Sequence, residues 1–187
     1  MQLDMKNKAI RTAIAVCAAV LISGCAKDKS LTVTGSYTYK TSGTVTLMAS
    51  ELAGLDPAQL EAYAAATGTD VNPVQVGLYP EQGQMHIMND GNDKVIITFN
   101  DLLGNADVAE GKIDGSKVSI SGAPVKSARL TDGKDKIGAG MVMYSGQGVK
   151  HEDMLIIDMQ YLGEFTLNGI KMTVIDSDVH CVAQYND

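Results

Sequence analysis

The sequence predicts a mainly β protein, a single antiparallel barrel with one short helix inserted between early strands. Three observations predict it. Beyond residue 30, apolar residues recur at every second position through most of the chain, the period of half-buried strands. Turn signals made of Gly, Asn and Asp separate those runs at roughly 8 to 12 residues, the spacing of barrels and sandwiches. Only one stretch, between Asp56-Pro57 and Gly68, carries both helix-start and helix-stop chemistry. With 187 residues, 45% of them apolar and 20% charged, the chain can bury one core and has no composition of disorder. Nineteen glycines against four prolines fit many tight turns.

Taken in order, Leu31, Val33, Gly35, Tyr37 and Tyr39 alternate with polar residues, and Thr41-Ser42-Gly43 predicts a turn into Thr44 to Leu47, a first hairpin. Asp56 as N-cap, Pro57 at the first helical position and Gln59 at the third predict a helix of about three turns, with Leu60, Tyr63 and Ala64 on one side. Val74, Val76 and Leu78 alternate next, followed by Met85 to Met88. Asn89 to Asp93 turns that run into Val95 to Phe99, and Asp114-Gly115 joins Gly111-Lys112-Ile113 to Lys117 to Ile120. Met141 to Tyr144, Met154 to Leu162, Phe165 to Leu167, Ile170 to Ile175 and Val179 to Tyr185 complete about ten strands, with Asn168-Gly169 a type I′ turn. No fixed repeat period or low-complexity tract marks a second domain.

The first thirty residues read as an address. Lys6, Lys8 and Arg11 precede an apolar run from Thr12 to Ile22, too short to span a bilayer and closed by Ser23-Gly24-Cys25 and then Lys27, Asp28 and Lys29. Leu21-Ile22-Ser23-Gly24-Cys25 resembles the lipobox of bacterial lipoproteins. The resemblance implies a signal peptide over 1–24, acylation of Cys25 and a lipidated tether over 25–30, with the barrel domain at 31–187. Ala26 resembles outer-membrane sorting, and Lys27-Asp28 resembles a surface-export signal. The expected membrane partner is thus reached through an N-terminal lipid anchor, with more than one acyl chain for stable attachment.

Charge and cysteines narrow the function classes. Without residues 1–24, the 22 acids lose one and the 15 bases lose three, so the remaining chain carries a formal charge of −9. Such a surface repels phosphate backbones, and no Lys/Arg stripe with interleaved aromatics occurs, so nucleic acid is not an expected partner. Cys17 leaves with the signal and Cys25 is acylated, which makes Cys181 the one free thiol of the remaining chain; a buried small hydrophobe is its commoner role.

The alternating strands from Thr34-Gly35-Ser36-Tyr37 through the Asp114-Gly115 hairpin to Tyr185 are similar to the calycin-like, or lipocalin-like, β-barrel lipoproteins of Bacteroidota. Gly35-Ser36-Tyr37 stands where lipocalins carry Gly-x-Trp. The resemblance implies a barrel that can hold a small ligand and a basic residue of the late strands opposite Tyr37, for which Lys171 is the candidate.

Several constellations could carry chemistry. Asp176, Asp178 and His180 lie two apart, so an extended strand puts all three on one face, the start of a divalent metal site; a solvated strand face accounts for the same residues. Met141 and Met143 offer two thioethers on one face, suited to Cu(I) or to core packing. Asn89 to Asp93 supplies oxygens but lacks calcium-loop spacing. Ser145-Gly146 lacks a nucleophile frame, and the histidines at 86, 151 and 180 form no ordered triad, so the chain is not expected to be an enzyme or to need a cofactor. The expected role is a non-catalytic envelope lipoprotein whose barrel mouth, lined by Tyr37, Met85, Met141, Met143 and Tyr161, binds a small apolar ligand. The alternative is a structural or interaction subunit of an outer-membrane assembly, with a side-chain-filled barrel and an envelope protein as partner.

Overall fold

The computed structural model describes residues 32–121 and 124–186. The signal segment, the tether and Cys25 lie outside the described residues. Among the described residues, ten strands form one antiparallel sheet: β1 (Gly35–Ala49), β2 (Val74–Leu78), β3 (Glu81–Asn89), β4 (Lys94–Asp101), β5 (Ala106–Asp114), β6 (Lys117–Ser121), β7 (Val125–Thr131), β8 (Lys136–His151), β9 (Met154–Leu167) and β10 (Ile170–Tyr185). The helix α1 (Pro57–Thr67) enters between β1 and β2.

The sheet closes because β1 pairs with β10 from Tyr37↔Tyr185 to Ala49↔Met172. Two rings share the long strands β1, β8, β9 and β10. At one end, Gly35 to Thr41 of β1 pairs with β3, and the wall continues through β4, β5 and β6 to the second half of β8. At the other end, Thr44 to Leu47 of β1 pairs with β2, β2 meets β7 at Gly77↔Thr131 and Leu78↔Leu130, and β7 pairs with the first half of β8. The wall thus narrows from eight strands to six, the gap left by the β4–β5 hairpin being bridged by β2 and β7.

The expected hairpin at Thr41-Ser42-Gly43 is corrected: β1 runs unbroken through these residues. Gly43 is there for close approach, because a Cβ would meet the Asp178 carbonyl oxygen across the ladder, and its φ of 152° suits glycine. Other local expectations hold. Asp56 Oδ1 accepts the Gln59 N–H at 2.9 Å and Gln59 Oε1 accepts the Asp56 N–H at 3.0 Å, closing a capping box, and Gly68 ends α1 in the left-handed region. Asn168 and Gly169, at φ 51° and 81°, make the primed turn between β9 and β10. Among the described residues, no helix is long and apolar enough to cross a membrane.

The barrel interior is filled by side chains. Val45, Leu47, Met85, Ile87, Ile97, Leu130, Leu155 and Ile157 are buried around a column of rings. Tyr39 meets Phe99 edge-on at 5.3 Å, Phe99 meets Tyr144 at 6.1 Å, and Tyr144 meets Tyr161 at 6.3 Å. Room for these rings comes from β8, whose inward positions alternate Gly138, Gly140, Val142, Tyr144, Gly146 and Gly148; a Cβ at Gly140 would strike the Glu164 carbonyl oxygen. Each large side chain removed from water here contributes about 1.5–3 kcal/mol.

Candidate functional site

Two breaks in the ladders and one inward lysine create a polar spot inside this apolar wall. Pro80 cannot donate to a ladder, so the chain leaves β2 there and restarts as β3 with Glu81 on the inward side. β7 carries Lys126 at an inward position between Val125 and Ser127, buried at 4% side-chain exposure. In β10 a bulge skips Ile175, since Thr46 pairs with Asp176 and Leu47 with Val174; the shift turns Ser177 inward, where its Oγ accepts the Tyr161 N–H at 2.9 Å.

These features bring Glu81, Lys126, Tyr39 and Tyr161 together. Lys126 Nζ donates to Glu81 Oε2 at 2.8 Å, and the Tyr39 hydroxyl donates to Glu81 Oε1 at 2.8 Å, so both carboxylate oxygens are engaged. The ammonium also lies 5.4 Å from the Tyr144 ring centre and 5.7 Å from that of Tyr161. Burial works against the Lys126 charge, but the Tyr161 phenol and the Glu81 carboxylate outweigh it and hold the ammonium above its ordinary range. Burial pushes the Asp107 carboxyl up, with Lys126 opposing, and drives the phenols of Tyr39, Tyr144 and Tyr161 up as well. The Tyr144 hydroxyl is buried without a hydrogen-bond partner among the described residues.

Outside this ion pair lies a pocket of about 320 Å³, opening through the side of the barrel between the β4–β5 turn and β7. Its inner end is Glu81, Lys126, Tyr161 and Thr41, and its walls include Leu78, Tyr79 and Arg129. The β4–β5 turn supplies an apolar rim, Leu102 and Leu103, exposed at 71% and 66%. Asp101 holds that turn: its Oδ1 accepts from Leu103 N at 2.9 Å and Asn105 N at 2.8 Å, and its Oδ2 from Asn105 Nδ2 at 2.7 Å. Partial burial opposes the Asp101 charge, yet these bonds and the nearby Arg129 hold the carboxyl below its ordinary range. The arrangement offers a small amphipathic cleft with a fixed, charged inner end and a prominent apolar rim.

The residues expected at the barrel mouth are dispersed. Tyr37, Met85 and Tyr161 point inward and are buried, and only Tyr161 reaches the pocket. Met141 and Met143 stand on the outer face, because the parity that turns Val142 and Tyr144 inward turns them out. Asp176 donates nothing to a shared centre; its Oδ1 accepts the Ser177 N–H at 2.9 Å. His180 and Asp178 do meet, with Nε2 3.0 Å from Asp178 Oδ1 and Nδ1 2.7 Å from Asp158 Oδ1, on the exposed outer wall. Among the described residues, no three His, Cys, Asp or Glu side chains gather in a form that could hold a metal ion. Cys181 is fully buried and its thiol is pushed up to about 11 by that burial. The basic residue beside Tyr37 is not Lys171, which pairs with Glu164 at 2.7 Å on the outer surface. It is Lys150 of β8, whose Nζ donates to the Thr32 carbonyl at 3.0 Å, lies 4.2 Å from the Tyr185 ring centre and 5.7 Å from that of Tyr37. With the Tyr37 hydroxyl donating to Val33 O at 2.6 Å, this contact ties the chain before β1 to that end of the barrel.

Sequence reasoning missed Glu81, Lys126 and Arg129. The signal available was a basic residue every third position in Val125 to Arg129 next to Pro124, which reads as a polar connection unless Lys126 has a buried acid to face. Comparison of the chain with protein-family models, curated proteins and solved structures gave no match.

Proposed function

We propose that this chain is a non-catalytic envelope lipoprotein, acylated at Cys25 and held at the outer membrane, whose barrel is a binding module. Its ligand enters the lateral pocket and presents an apolar body to Leu78, Tyr79, Leu102 and Leu103. The observation that carries this reading is the contrast between a barrel axis packed with side chains and an amphipathic cleft left open in its wall. A binding role, not a chemical one, fits the inner end of the cleft. Lys126 is charged and locked by Glu81, and the buried Cys181 thiol has an elevated pKa, so neither is a ready nucleophile.

Nile red titrated into the full chain tests the proposal, with Leu102→Asp/Leu103→Asp as background for uptake elsewhere. Both leucines are solvent-exposed at a turn fixed by Asp101, so the substitution strips the rim and leaves the core intact. A saturable emission increase in the parent that the variant lacks supports the pocket; equal responses refute it. The filled interior also favours the second reading, an interaction subunit of an envelope assembly. Stoichiometric co-purification with one partner and no dye uptake would select it.

A further inference from the structure

We propose that the free edge of β7 beside the lateral pocket takes an extended peptide segment by strand addition, with one peptide side chain lowered into the pocket. This rests on the lateral site being the binding site and names its ligand class.

The two edges of β7 differ. One edge is paired with β8 from Val125↔Met143 to Thr131↔Lys136. The other is paired only at its far end, where Leu130 and Thr131 meet β2, and no ladder joins β7 to β5 among the described residues. Hydrogen-bond parity decides which main-chain groups face this opening. The Tyr144 N–H donates to Pro124 O at 3.2 Å, so positions 124, 126 and 128 direct their main-chain groups toward β8. Positions 127 and 129 then direct theirs the other way. The Tyr79 N–H, which donates to Arg129 O at 2.8 Å from the β2 side, fixes the same parity independently.

The N–H and C=O of Ser127 and the N–H of Arg129 therefore face the opening, with no main-chain partner among the described residues. A donor and an acceptor on one residue, followed by a donor two residues on, is the repeat that an extended main chain satisfies and a hydrocarbon ligand does not. Ser127 and Arg129 also line the pocket, so a strand laid on them has an alternate side chain directed toward Glu81, Lys126 and Tyr161. The lining balances Glu81 and Asp101 against Lys126 and Arg129, while Leu78, Tyr79, Leu102 and Leu103 give it apolar walls; an uncharged, apolar side chain is the one that fits. An open edge of this kind attracts other chains unless it is covered; the nearest proline, Pro124, lies three positions before Ser127, and the inward charge of Lys126 is paired with Glu81.

The test is selection of a display library of random linear twelve-residue peptides on the full chain, followed by binding of the selected peptide to the parent and to Ser127→Pro. Proline at 127 removes an N–H that faces away from β8, so the β7–β8 ladder keeps its bonds. Thermal melting by circular dichroism checks that the variant is folded. At least tenfold weaker binding to Ser127→Pro is expected, together with displacement of Nile red. Methylating alternate peptide nitrogens reads the same bonds without altering the protein: one parity should lose tenfold or more and the other little. Equal affinity for parent and Ser127→Pro, equal tolerance of both methylation parities, or no selected peptide while the dye still enters the pocket overturns strand addition and leaves the lateral site standing. No peptide and no rim-dependent dye response removes both.

Discussion

Replacing Glu81 by Gln isolates the buried charge at the inner end of the pocket. The Lys126 side chain is 4% exposed and that of Glu81 22%, so the two partners are not equivalent. In Glu81→Gln the ammonium keeps its burial and its neighbours Tyr144 and Tyr161 but loses its only counter-ion in contact among the described residues. Removing one partner of a buried pair costs about 3–5 kcal/mol. For a domain of this size, 1 kcal/mol moves the melting midpoint by about 2–4 °C, so the expected drop is roughly 6–20 °C. Lys126→Met is the milder change. Glu81 then keeps the Tyr39 hydroxyl and some access to water, and the cost falls to about 1–3 kcal/mol.

The double variant Glu81→Gln/Lys126→Met has no stranded charge and should cost less than the two single changes added together, a coupling of about 2 kcal/mol. The pH dependence has a definite sign. A lysine whose folded pKa is raised stabilises fully below its unfolded value near 10.5, and the contribution is lost only as pH rises through the higher folded value. The Lys126 contribution in the parent should therefore be flat from pH 6 to 9, whereas in Glu81→Gln burial without the carboxylate favours loss of the proton, so the gap should narrow as pH rises. Urea unfolding followed by far-ultraviolet circular dichroism measures all four proteins. A Glu81→Gln cost below about 1 kcal/mol, or a larger cost for Lys126→Met, would refute this account of the ion pair.

Two further outcomes follow from the same electrostatics. Hydrogen bonding to Asp158, against slight burial and with help from Asp178, raises the His180 pKa above 6.5, so its contribution is complete below that value and fades as pH rises through the folded pKa. Because the ring is half exposed, the parent should gain no more than about 0.5 kcal/mol over His180→Gln at pH 5.5 and lose that gain by pH 8.5, a difference that 0.5 M salt should largely erase. Cys181 should resist iodoacetamide at pH 8 in the folded protein and react at once in urea; fast labelling of the native chain would contradict the burial of its thiol.

How legible this was in the sequence depends on whether parity was written in apolar residues. β3, β4, β6 and β9 alternate visibly, and α1 was legible in full because Asp56, Pro57, Gln59 and Gly68 each act locally. β8 was read only from Met141 to Tyr144, since four of its inward positions are glycines and give no hydrophobic signal. β7 escaped because Lys126 occupies an inward position, a choice that makes sense only with Glu81 and Tyr161 in place, and those are set by tertiary pairing. The same parity, misassigned by one residue, explains Met141 and Met143: an apolar strand of unknown facing can be placed inside or outside with equal ease until its ladder is known. Asp176 and Ser177 follow a bulge at Ile175 that no local composition announced.

The proposed binding site lies in the barrel wall, beside an axis filled by side chains. Methyl-resolved nuclear magnetic resonance of the full chain during a Nile red titration measures this directly, because Leu78, Leu102, Leu103 and Ala128 report the pocket while Val45, Leu155 and Ile157 report the axis. Saturable shifts confined to the first group are expected. Shifts centred on the second group, with the pocket methyls unmoved, would contradict a site in the wall.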